Sequence, residues 1–90
     1  MLKIDLSKRS QKFLSKLPPK QARQLALKIL ALRSNPEPPD SIRLKGYDLL
    51  RRADFGEYRI IYYVNSDVLI VFLVGKRNDD EIYKQLKRLK

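Results

Sequence analysis

Apolar and polar residues alternate at the start of the chain: Leu2-Lys3-Ile4-Asp5-Leu6 has the two-residue period of a half-covered strand. Ser7 follows as a helix cap, because its hydroxyl can accept from an unpaired amide of the first turn. Phe13, Leu14 and Leu17 then form an apolar stripe, with Lys8, Arg9, Lys12 and Lys16 turned to water. Leu17-Pro18-Pro19 ends that helix, since a residue before proline is pushed out of the α region. Pro19 suits the first turn of a second helix, where its missing N–H is no loss. Ala22, Leu25, Ala26, Ile29 and Leu30 recur at helical steps and predict a core-facing stripe on a helix ending near Ser34. Together the two helices read as an αα-hairpin. Asn35-Pro36-Glu37-Pro38-Pro39-Asp40 is a proline-rich loop leading into a sheet.

From Ile42 the period becomes extended. Ile42 to Gly46 is a short extended piece closed by glycine, Leu49 to Phe55 a strand, and Gly56-Glu57 a turn. Tyr58 to Val64 and Val68 to Val74 are strands joined by the turn Asn65-Ser66-Asp67. Both are apolar at nearly every position, as expected of central strands covered on two faces. Asp79-Asp80-Glu81 opens a last helix with acids at its positive end, and Lys84 to Lys90 closes it with bases. The order β-α-α-β-β-β-α predicts an α+β fold: a small antiparallel-rich sheet, an N-terminal αα-hairpin on one face and a C-terminal helix. Ninety residues make a single domain spanning 1–90.

Composition narrows the chemistry. With neither cysteine nor histidine, disulfides, thiolate zinc sites and the usual transition-metal sites fall away, and no cofactor is expected. No apolar run reaches the roughly 18 residues of a membrane span. The first residues lack a secretory core, so a cytoplasmic address is the simple expectation. The net charge of +10 attracts polyanions: nucleic acid, an anionic membrane surface or an acidic protein.

The absence of histidine and cysteine also removes the usual nucleophile–base pairs and the acid–base pair of metal-free ribonucleases. An enzyme built from this chain works with arginine, lysine, tyrosine and backbone groups, which stabilise a phosphorane-like transition state better than they shuttle protons. Arg59 stands one residue into its strand, on the face of Ile61 and Tyr63 by the two-residue period. Pairing through the Asn65-Ser66-Asp67 turn sets Arg59 near Val74 and within reach of Arg77. Arg51 and Arg52 arrive from the preceding strand. Four guanidiniums at one end of a sheet repel unless an anion sits among them; the bland alternative is ordinary ion pairing with Asp54, Glu57 or Asp79. Tyr83 on the last helix reads by itself as a packing residue.

Leu17-Pro18, Asn35-Pro36, Arg43-Leu44-Lys45-Gly46, Gly56-Glu57-Tyr58-Arg59-Ile60-Ile61-Tyr62 and Val74-Gly75-Lys76-Arg77 with Ile82-Tyr83 resemble the RelE/ParE toxin superfamily. The closer likeness is to its RelE branch. The resemblance covers essentially the whole chain. It implies an endoribonuclease that cuts messenger RNA in the ribosomal A site without a metal, held inactive by a cognate antitoxin protein. The implied reaction is attack of a ribose 2′-hydroxyl on the adjacent phosphate, leaving a 2′,3′-cyclic phosphate and a 5′-hydroxyl. By the same resemblance Arg59 grips the scissile phosphate, Arg77 stands near the leaving oxygen, and Tyr83 positions the reacting nucleotide. Arg52 would hold the phosphate, with Lys45, Arg51 and Lys76 as RNA-binding residues. Leu50 and Arg52 stand where the best-known members carry lysines, and arginine is a poor general base. The proton then passes to water, a ribosomal group or Tyr83. Two other readings stay open: a ParE-like toxin that binds DNA gyrase and cuts no RNA, and a non-catalytic nucleic-acid-binding module. ParE-like chains generally lack the full Arg, Arg, Tyr set.

Overall fold

The computed structural model describes residues 1–47, 49–77 and 81–89. The elements run β1 (Lys3–Leu6), α1 (Lys8–Ser15), α2 (Pro19–Ser34), β2 (Ser41–Arg43), β3 (Arg51–Phe55), β4 (Tyr58–Asn65), β5 (Val68–Lys76) and α3 (Glu81–Leu89). One strand more is present than the sequence predicts, because the extended piece at Ser41–Arg43 pairs with β3 and becomes an edge strand. The strand expected from Leu49 starts at Arg51, since the Leu50 amide donates to the Tyr47 carbonyl in a turn. Asp79 and Asp80, expected to open the last helix, lie outside the described residues.

The sheet order is β1-β5-β4-β3-β2. All neighbours are antiparallel except β1 and β5, so the sheet is mixed. Ser7 caps α1 as expected: its Oγ accepts from the Ser10 amide at 3.1 Å and donates to the Phe72 carbonyl at 2.6 Å. Ser10 is fully buried and donates to the Val71 carbonyl at 3.1 Å. These two hydroxyls satisfy β5 carbonyls at a β-bulge, where Ile61 faces Leu73 but Tyr62 faces Val71. Phe72 is the extra residue.

On one face, Leu25, Ile29 and Leu32 of α2 pack with Ala53, Ile60, Tyr62, Leu69, Val71 and Val74. The predicted stripe is partly displaced: Ala26 and Leu30 are exposed and Leu32 is buried. Helix α2 is apolar on more than one side, so spacing alone offers several stripes. Burial at steps of four and three selects residues 25, 29 and 32. On the other face Leu86 of α3 covers Leu44, Ile61 and Leu73, with Tyr47, Leu50, Phe72 and Tyr83 at the margin. No described helix is long and apolar enough to cross a membrane.

Candidate functional site

Strand period decides which charged residues meet. On β3, Ala53 belongs to the helical-hairpin core, so its neighbours Arg52 and Asp54 turn to the α3 face. On β4, Ile60 and Tyr62 take the hairpin face, and Arg59 and Ile61 the α3 face. The two-residue turn Gly56-Glu57, with Gly56 at a φ of +59° open to glycine, pairs Phe55 with Tyr58 and therefore Asp54 with Arg59. Arg59 is opposite Gly75 and not Val74, because the bulge adds one residue to β5.

The Arg59 guanidinium is held on two sides. Its Nε donates to Asp54 Oδ1 at 2.7 Å and its Nη2 to Asp54 Oδ2 at 3.2 Å. Its Nη1 donates to the Tyr83 hydroxyl at 2.7 Å, and Arg52 Nη1 donates to the same oxygen at 2.9 Å. The Arg59 Cζ also lies 5.5 Å from the Tyr83 ring centroid, within cation–π range. Tyr83 therefore does more than pack: it joins β3 and β4 through one oxygen. Arg77 is exposed, and its amide donates to the Glu57 carbonyl at 2.7 Å, tying the end of β5 to the β3–β4 turn.

The Asp54 carboxyl is held below the usual carboxylate range. The hydrogen bond from Arg59 is the main cause, burial opposes it, and the charges of Arg59, Arg52 and Arg77 add to it. Arg59 is correspondingly raised, first by its bond to Asp54, with Tyr83 contributing. Three guanidiniums thus share one field. Among the described residues, no carboxylate forms an ion pair with Arg52 or Arg77.

The sequence expectation needs two corrections here. Arg51 does not join the cluster: it turns to the opposite face, pairs with Glu37 at 3.3 Å and donates to Ser41 Oγ at 3.0 Å. The alternation that brings Arg52 to Tyr83 necessarily sends Arg51 away. The anion meeting Arg59 is also internal, the carboxylate of Asp54. The signal for this lies in the chain, because a two-residue turn at 56 and 57 makes positions 54 and 59 cross-strand partners. Asp79, another candidate counter-ion, lies outside the described residues. Lys45 is exposed in the turn after β2, and Lys76 is exposed with the period of Val74, on the hairpin face. Leu50 packs, partly buried, at the margin of the α3-face core. A second basic feature is a groove lined by Arg9, Lys12 and Lys16 of α1 with Phe13, Val74 and Gln85.

The ion pair makes stability depend on acid in a defined direction. A carboxyl lowered in the folded state stabilises fully above its unfolded pKa of about 3.9 and loses that contribution as pH falls through the lowered value. Asp54→Asn should therefore cost roughly 1 kcal/mol at neutral pH. Denaturant melts of the two proteins should converge as pH drops below about 4. A constant gap down to strong acid would show that Asp54 contributes through packing and not charge.

Residues 4–81 match the family described as the ParE toxin of the type II toxin–antitoxin system, parDE. The chain belongs to the RelE/ParE toxins. Among solved structures it is similar to archaeal RelE in the RelE–RelB complex from Pyrococcus horikoshii. The two are 30% identical with a TM-score of 0.74, over 86% of this chain and 96% of that one. The isolated RelE toxin of E. coli is 25% identical with a TM-score of 0.75 over the whole of both chains. A mutant of E. coli RelE in the free state, also 25% identical, gives 0.79 over 99% and 98%. No curated protein sequence matches it. The protein is thus a toxin of a type II toxin–antitoxin system with a RelE-like fold.

Proposed function

We propose that this toxin is a metal-independent endoribonuclease that cuts messenger RNA in the ribosomal A site and so stops translation in the cytoplasm. The observation that carries the reading is the convergence of Arg52 and Arg59 on the Tyr83 hydroxyl, in the field that also contains Arg77. The ribose 2′-oxygen attacks the adjacent phosphorus, the bond to the 5′-oxygen breaks, and negative charge grows on the phosphoryl oxygens. Arg59 and Arg52 would face that charge, each well-aimed donor contributing roughly 3–4 kcal/mol. Arg77 would stand by the leaving oxygen. The Tyr83 oxygen accepts from both arginines and keeps its own hydrogen to donate. Lys45 and Lys76, with the α1 groove, supply backbone attraction without reading sequence. A cognate antitoxin with an acidic segment would cover this surface; the similar RelE of P. horikoshii was solved with RelB.

The matching family carries the ParE name, and this favours one rival: a gyrase-directed toxin that leaves RNA whole. A translating extract with a defined message separates the two. The nuclease produces an upstream fragment ending at the A-site codon in a 2′,3′-cyclic phosphate and a downstream fragment beginning with a 5′-hydroxyl, whereas intact messages alongside DNA damage would establish the rival.

Tyr83 variants grade the site. Tyr83→Phe keeps the ring against Arg59 but removes the oxygen that accepts two charged donors, and should lower cleavage roughly tenfold. Tyr83→Ala loses the ring as well and should fall further. Equal activity in the two variants would show that the ring adds nothing.

A further inference from the structure

We propose that Asp54 is a positioning residue of this site: it clamps one edge of the Arg59 guanidinium and so sets which N–H groups meet the RNA phosphate. The inference rests on the nuclease reading above. A guanidinium has five N–H donors. Asp54 takes the one on Nε and one on Nη2, and Tyr83 takes one on Nη1. One N–H remains on each terminal nitrogen. Neither of these two is taken by Asp54, so Arg59 keeps donors for a phosphate without releasing its carboxylate.

The clamp sits on rigid parts. Asp54 and Arg59 are directly paired residues on neighbouring strands, and the turn between them is anchored by the Arg77 amide on the Glu57 carbonyl. Arg59 has only 13% of its side chain exposed and Asp54 30%, so neither swings freely in water. A free arginine loses much rotamer freedom when it binds phosphate; one already fixed does not. Asp54 is ill suited to be the general base. Both of its oxygens accept from Arg59, and its lowered carboxyl binds a proton weakly. It also has little to offer as a stabilising pair alone, because partly exposed ion pairs contribute little. Its two bonds instead fix an arginine that also touches the Tyr83 oxygen.

The test uses full-length toxin, programmed ribosomes carrying a defined message, and the Arg59 Nε–H resonance in 15N-labelled protein. Wild type should show a sharp, slowly exchanging Nε–H. In Asp54→Ala, kcat should fall about 10- to 100-fold with KM for the ribosome–message complex nearly unchanged, and the Nε–H signal should broaden. Asp54→Asn keeps one acceptor and should fall between the two. A kcat equal to or above wild type in both variants overturns the proposal. If phosphate binding, followed with inorganic phosphate on the same resonance, also rises, Asp54 is a stand-in that the RNA must displace. Should Asp54→Ala not fold, Asp54→Asn decides by the same readouts. A wild-type toxin that cuts no message sinks the nuclease reading itself. Cleavage by wild type and equally by the variants sinks only the role of Asp54.

Discussion

Arg59→Ala should abolish growth arrest on expression and lower message cleavage by about 100- to 1,000-fold. Two effects act in the same direction. The variant removes the guanidinium that both Asp54 and Tyr83 hold in place. It also frees the Asp54 carboxylate, which then faces Arg52 and Arg77 and cancels part of the charge that a phosphate would meet. The fold should survive, because a partly exposed ion pair contributes roughly 1 kcal/mol or less. Arg77→Ala should relieve arrest as well, with the loss centred on departure of the 5′-oxygen. Growth arrest as strong as wild type in both variants, at equal expression and with cooperative thermal unfolding retained, would remove the nuclease proposal.

Tyr62→Ala should be the most damaging single core change, costing about 3–5 kcal/mol. Total stability of a domain this size is on the order of 5–15 kcal/mol, so much of the chain would be unfolded at 37 °C. Tyr62 has no exposed surface, fills the space between α2 and the sheet, and sits where the β4–β5 register shifts. Its hydroxyl donates to the Pro36 carbonyl at 2.6 Å and pins the proline-rich loop to the sheet. Tyr62→Phe isolates that last contact and should cost about 1–3 kcal/mol, the penalty for an acceptor left without its donor. Urea titrations of the two variants measure both numbers. A midpoint for Tyr62→Ala close to wild type would mean that the core closes over the cavity.

Much of this is legible in the chain, and the reasons differ by element. Strands β4 and β5 declare themselves because residues covered on both faces are apolar nearly throughout. Ser7 and Pro19 mark helix starts through local chemistry that tertiary structure does not override. The α2 stripe is only partly legible, because leucines on three sides of a helix satisfy several periodicities and only packing chooses among them. Arg51 is misplaced when adjacent residues are treated as neighbours in space, since alternation sends them to opposite faces. Asp54 reads as a bland counter-ion, yet turn length alone makes it the partner of Arg59. The bulge at Phe72 leaves no mark in the sequence, since its compensation lies in serine hydroxyls from a helix some sixty positions earlier.

That irregularity reaches the chemistry. An uninterrupted ladder would bring the isopropyl group of Val74 across from Arg59, where the bulged one brings bare backbone. Two serine hydroxyls that satisfy the bulged carbonyls thus help set what stands across from a charged centre several residues away.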